Sequence, residues 1–289
     1  MRRIPMSAPF DLSQLSSALA CDDDGIWRAR GAGPEALSFP DDGHETCFRL
    51  EDESFWFAHR NACITAALDG FGIDGPFLDV GGGNGAVSKA LESHGLRTVL
   101  LEPGADGAHN ARRRGLRSVV NATLEEACFA DGSFAAAGAF DVVEHIADDE
   151  AILREVHRVL RPKGVLCVTV PAYEWLWSSE DDLAGHHRRY TLQRLSTLLE
   201  RCSFEVKFQT YFFAPLTVPV FLMRSVPHRL LRRSHGEVNA NLAKQHAPSP
   251  LARRVMEGLL APELARIKSG HGVPFGTSCL AVAIRSSSG

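Results

Sequence analysis

The sequence predicts a doubly wound α/β fold with a mostly parallel sheet of seven strands, an N-terminal lid and a C-terminal cap insertion. Three observations carry that expectation. Between Phe77 and Val170 short β-rich runs alternate with longer amphipathic ones, as strands joined by crossover helices do. A glycine-rich loop, Gly81-Gly82-Gly83-Asn84-Gly85, stands where the first strand would turn into the first helix. With 289 residues, the chain can bury roughly three quarters of its unfolded surface without disulfide or metal staples.

Strands are expected at Phe77 to Val80, Thr98 to Leu101, Ser118 to Val120, Ala136 to Phe140 and Val165 to Val170. Helices should run from Ala86 to His94 and from Gly104 to Arg114, closed by Gly95 and Gly115. The next, Asp149 to Leu160, lines Ile152, Val156, Val159 and Leu160 along one face, and Pro162 stops it. Residues 1–75 read as an N-terminal extension and lid: polar to about Gly43, then Phe55-Trp56-Phe57 and a helical run from Ala58 to Leu68. Residues 76–289 form the core, in which Thr191 caps a helix to Cys202 and Phe204 to Thr210 alternates as a strand. The stretch 211–277 breaks this rhythm and reads as a cap inserted before a returning strand, Ser278 to Arg285.

A net charge of −4 gives no field to hold a polyanion across the whole surface, so nucleic acid is not an expected partner. Seven cysteines, odd in number, scattered and without a CxxC pair, suggest reduced thiols and a cytoplasmic location. Met1-Arg2-Arg3 has the charge of a signal peptide, yet Pro9 and Asp11 interrupt any apolar region behind it. The longest uncharged apolar run, Tyr211 to Met223, has 13 residues and two prolines. A membrane span needs about 20, so no stable insertion is expected and the run reads as a lipid-facing or ligand-facing wall.

The loop spacing is G-x-G-x-G, not the G-x-G-x-x-G that seats a pyrophosphate. Glu102 follows 17 residues after Gly85, at the end of the second strand, where a carboxylate can accept both hydroxyls of a ribose. Together they describe an adenosine-bearing ligand whose other half is not a diphosphate.

These residues resemble the class I S-adenosylmethionine-dependent methyltransferases, from Phe77 to about Thr210. Further landmarks are Phe140-Asp141-Val142-Val143-Glu144-His145 and Arg158-Val159-Leu160-Arg161-Pro162-Lys163-Gly164. Glu51 to Asn61 and Gly185-His186-His187-Arg188-Arg189-Tyr190 are similar to a bacterial small-molecule subgroup. The resemblance implies a Rossmann-like core and S-adenosylmethionine as cofactor. By it, Asp79, Gly81, Gly83 and Gly85 would hold the methionine part, Glu102 and Pro103 the ribose, and Thr123 and Leu124 the adenine. Thr123 stands where the family often has an acidic residue. Asp141 and Val142 would border the amino end, with Trp56 and Arg60 reaching in from the lid.

The acceptor side has four features. Asp141 to His145 resembles the D-x-x-E-H segment of ubiquinone-type O-methyltransferases, which makes Glu144 and His145 candidate Mg²⁺ ligands. Tyr173, Glu174 and Trp177 follow the fifth strand, at the edge where α/β folds bind ligands. His186, His187, Arg188 and Arg189 precede a helix whose dipole they oppose, so an outside anion or an acidic partner should lie near. Tyr211 and Phe212 open the apolar wall. Each feature also has a plain structural reading, as loop, core or solvated surface. The partner they suggest is a small, largely apolar, anionic molecule. Glu174, His145 and His186 are the candidate catalytic groups: Glu174 as base if a prenyl diphosphate such as geranyl diphosphate is methylated on carbon, the histidines if a phenol or carboxylate is methylated on oxygen. A non-catalytic S-adenosylmethionine-binding protein is the remaining alternative. Oligomeric state and metal requirement stay open.

Overall fold

A computed structural model describes residues 11–30, 48, 51–52, 54–230 and 250–286. Its centre is a nine-stranded sheet in the order β1-β2-β5-β4-β3-β6-β7-β9-β8. The seven expected strands are β3 (Pro76–Val80), β4 (Arg97–Leu101), β5 (Val119–Asn121), β6 (Phe134–Phe140), β7 (Leu160–Pro171), β8 (Phe204–Phe212) and β9 (Ser278–Arg285). β3 to β7 are parallel, and β9 runs antiparallel between β7 and β8. Two strands were not foreseen: β1 (Leu19–Cys21) and β2 (Ile26–Ala29) form a hairpin that pairs onto β5. Its turn holds the signal, Asp24-Gly25, with Asp22 and Asp24 carboxylates accepting from Ile26 N. The apolar pattern is too thin to reveal it, since β1 buries Leu19 alone.

The helices stand close to where sequence places them. α1 (Phe55–Leu68) starts at Ser54, whose side chain accepts from Trp56 N. α2 (Ala86–Ser93) and α3 (Ala105–Arg113) give way to Gly95 and Gly115, both at positive φ. α4 (Asp149–Val159) buries Ile152, Leu153, Val156 and Val159. α5 (Ser179–Ala184) opens with a capping box of Ser178 and Asp181, and α6 (Leu192–Arg201) with Thr191 accepting from Arg194 N at 3.2 Å. β8 extends two residues beyond the expected end, so Tyr211 and Phe212 lie in the ladder opposite Cys279 and Ser278. After it, α7 (Thr217–Val220), a π turn (Phe221–Ser225) and α8 (Val226–Leu230) run on without a break. α9 (Pro250–Lys268) packs back onto α1.

The sheet is covered on both faces, by α4 and α6 on one and by α1, α2 and α9 on the other. The strand order reverses between β3 and β6, which puts a crevice at the carboxyl ends of those strands. Among the described residues no helix is long and apolar enough to cross a membrane. The described cysteines are all free.

Candidate active site

The nucleotide-type loop sits at that crevice. Gly81 has φ +64°, and a Cβ there would come within 2.8 Å of Val142 Cγ2. Gly83, at φ +52°, has nothing within 4 Å of where its Cβ would stand, which leaves open room for a ligand against the backbone. Glu102, at the end of β4, is held in place by Gly83 N at 2.8 Å on one oxygen and Gly104 N at 2.7 Å on the other. Asp79 is buried beneath the loop and accepts from Ser88 Oγ at 2.6 Å. Burial pushes Asp79 up to about 6, against the hydrogen bond from Ser88 and the charge of Arg60. Asn121 Nδ2 donates to the carbonyls of Glu102 and Pro103, tying β5 to the same corner. In the turn beyond, Leu124 is buried, and Thr123 and Glu126 bond each other's backbone N–H.

The lid residues divide. Arg60 reaches the crevice, donating to Asp141 Oδ2 at 2.6 Å, while Thr169 Oγ1 donates to Asp141 Oδ1 at 3.1 Å. Trp56 instead stacks on Phe213, ring centroids 3.7 Å apart. Phe213 is held by an unforeseen carboxylate, Glu263, which accepts from Phe213 N at 2.7 Å, Ala214 N at 2.8 Å and lies 2.6 Å from His59 Nε2.

On the acceptor side Glu144, His145 and His186 converge, and their ligand-type atoms all lie within 4.8 Å of one another. Glu144 is fully buried and neither carboxylate oxygen has a partner among the described residues. Burial, then the charge of Asp141, holds it well above the usual carboxylate range. His145 meets His186 edge-on at 4.6 Å, and burial together with that neighbour lowers it to about 4. His186 Nδ1 lies 2.8 Å from Asp181 Oδ1, and Arg189 clamps both Asp181 oxygens at 2.8 and 2.9 Å. Against the upward push of burial, the bonds from His186 and Arg189 bring Asp181 down to about 2. Sequence reasoning missed Asp181, although Ser178-x-x-Asp181 is a capping-box pattern.

Several expected contacts turn elsewhere. Arg189 is buried and also donates to Ala172 O, and Arg188 pairs with Asp149 at 2.7 Å and donates to Ala147 O. The fold itself supplies these cations with an acidic partner, Asp181 for Arg189 and Asp149 for Arg188. Glu174 lies at the surface, its side chain 58% exposed, accepting from Arg189 N and pairing with Arg194. Trp177 donates to Asp182, His187 is exposed, and Phe212 is wholly buried in the core. Tyr173 does line the edge, stacked between Trp175 at 5.3 Å and Tyr211 at 5.0 Å.

These donors do not suit Mg²⁺, which takes oxygen ligands in near-octahedral array. Two imidazoles and one carboxylate converge, and the Asp141 carboxylate is engaged by Arg60 and Thr169. The adenosine side does fit S-adenosylmethionine: an open glycine loop faces a pre-positioned carboxylate.

Comparison with known proteins agrees. A methyltransferase domain model matches residues 78–168. A probable S-adenosylmethionine-dependent methyltransferase of Mycolicibacterium smegmatis is 29% identical over 177 residues, covering 60% of this chain and 68% of that one. A ubiquinone biosynthesis O-methyltransferase of Xanthomonas oryzae is 31% identical over 109 residues, 36% of this chain and 45% of that enzyme. In fold, the chain is similar to phosphoethanolamine N-methyltransferase 2 of Haemonchus contortus (TM-score 0.56, 16% identity, 90% of this chain and 61% of that one). It is also similar to a geranyl diphosphate methyltransferase (TM-score 0.50, 16% identity, 88% and 86%). The glycine loop, the ribose-type carboxylate and these matches lead to one reading: the chain carries a methyltransferase domain over residues 78–168 and is similar to S-adenosylmethionine-dependent methyltransferases.

Proposed function

We propose that the chain moves the methyl group of S-adenosylmethionine onto an oxygen of a small-molecule acceptor, with His186 as base and Asp181 as the residue that orients it. The observation that carries this reading is the Arg189–Asp181–His186 relay, in which Asp181 Oδ1 stands 2.8 Å from His186 Nδ1. A carboxylate at Nδ1 favours the tautomer protonated there, so Nε2 carries the lone pair that can take a proton. Bound S-adenosylmethionine supplies a methyl carbon made electrophilic by its sulfonium. His186 takes the acceptor's hydroxyl proton as the oxygen bonds to that carbon and the C–S electrons return to sulfur. Asp181 then faces the imidazolium, and Arg189 keeps Asp181 from moving. Glu102 and the glycine loop hold the ribose and backbone end. Alignment and exclusion of water supply the rest.

The carbon-methylation reading needs a carboxylate among aromatic faces, and Glu174 stands in solvent against Arg194. Its remaining support is a likeness in fold. The Xanthomonas relative, an O-methyltransferase by name, favours oxygen.

The test is a mass-spectrometric search for products heavier by about 14 Da in a panel of hydroxylated and prenylated metabolites. With the acceptor in hand, His186→Ala should lower turnover about 10²-fold and leave S-adenosylhomocysteine affinity unchanged. Full turnover in His186→Ala, with loss in Glu174→Gln, would return the carbon reading.

A further inference from the structure

The helical stretch 214–230 is built inside out. Its polar residues face the domain: Arg224 pairs with Glu180, Ser225 Oγ donates to Leu176 O at 2.9 Å, and His228 Nδ1 lies 3.0 Å from Ser179 Oγ. Its large apolar residues face solvent, with Val218 65% exposed, Leu222 57%, Met223 62% and Leu230 76%. They share one side of roughly 25 Å of helix. Cores normally receive the apolar face, so this face is made for a different covering.

Charge says which. By sequence, residues 205–257 hold eight lysines and arginines and three acidic residues, Glu205, Glu237 and Glu257, in a chain whose net charge is −4. Within the stretch itself the charged residues are Arg224, held by Glu180, and the exposed Arg229, so two copies meeting through this face would bring like charges together, which disfavours self-association. An apolar stripe within a basic segment is the composition of a helix that lies in the plane of a membrane interface.

The stripe is also continuous with the site. Phe221 meets Trp175 edge-on at 5.4 Å, Trp175 stacks on Tyr173 and Tyr173 on Tyr211, so a ladder of rings runs from this helix to the ends of β7 and β8. We propose that residues 214–230 rest on an anionic lipid bilayer and that the acceptor is a lipid-soluble molecule delivered along this ladder. The second clause rests on the methyl-transfer reading; the first does not.

The full-length chain should co-sediment with vesicles of phosphatidylcholine mixed with phosphatidylglycerol, bind vesicles of phosphatidylcholine alone far less, and release as salt is raised. The double variant Leu222→Asp, Met223→Asp should weaken this binding by about tenfold or more, with the melting temperature and S-adenosylhomocysteine affinity unchanged, because both side chains are already in solvent. The variant His186→Ala should bind vesicles as the parent does, so failure of the chemistry and failure of docking are read separately. No binding to the mixed vesicles, or equal binding by the double variant, would overturn the proposal. So would a dimer that the double variant converts to monomer, since a second copy would then be the covering.

Discussion

Two buried carboxylate–imidazole clusters flank the crevice, and they differ in what remains unsatisfied. At Glu263, His59 and the backbone N–H groups of Phe213 and Ala214 use the carboxylate completely, and Cys63 Sγ lies 3.3 Å from the same His59 nitrogen, Nε2. At Asp181, His186 and Arg189 saturate one carboxylate while Glu144, close by, has no partner among the described residues for either oxygen. The first arrangement fastens α1 and α9 to the end of β8. The second leaves unused hydrogen-bonding capacity beside the strand ends, where chemistry can draw on it. Counting partners, more than cataloguing residue types, separates a brace from a site.

That contrast can be broken or sharpened by substitution. Asp181→Asn should have the largest effect, because it leaves Arg189 buried without its counter-charge: about 4 kcal/mol of stability lost in chemical denaturation, and turnover lost beyond the folded fraction. Glu263→Ala should cost about 3 kcal/mol by the same measurement, with turnover per folded molecule retained. Loss of turnover there at full stability would make the brace part of the site. Glu144→Met should raise stability by about 1 kcal/mol while turnover falls, since it removes a buried, unpartnered carboxylate from the reacting side. Should stability fall instead, Glu144 has a partner in solution.

The smallest effect concerns pH. Asp79 holds its proton more tightly in the folded chain, near 6 against an ordinary 3.8. Its contribution to stability is therefore full below about pH 3.8 and is lost as pH rises through about 6. Melting temperatures of the unliganded parent should fall relative to those of Asp79→Asn as pH rises across that window, while His145, held down to about 4, pulls both proteins the other way. Equal slopes in the two proteins would place the titration elsewhere.

Much of this architecture was legible before any coordinates. Valine- and leucine-rich runs located the core strands, Gly95 and Gly115 ended their helices, and Thr191 began another, because each is a local signal. What the sequence concealed was partnership. Arg188 and Arg189 read as facing an outside anion or an acidic partner until Asp149, at the start of α4, and Asp181, in α5, paired with them, and Glu174 read as a base until it faced Arg194. Phe212 read as pocket wall because nothing local distinguishes a ring in the ladder from one in a cleft. The β1–β2 hairpin was hidden for a different reason, that an edge strand with one buried side chain carries almost no periodicity.

Asp141, Tyr173 and Phe213, just past the ends of β6, β7 and β8, have φ of +58°, +57° and +60°, a left-handed shape that side chains adopt only under constraint. At Asp141 and Tyr173 glycine would relieve the torsion by about 1 kcal/mol, whereas at Phe213 it would also empty a wholly buried ring site at a cost of about 3 kcal/mol or more, so selection for heat tolerance in the laboratory would find the first two codons and keep the third. Each of those two gains would remove a ring or a carboxylate that now sets the rim of the crevice. Lineages bred for durability should thus become less discriminating toward acceptors, and lineages bred for discrimination should keep both.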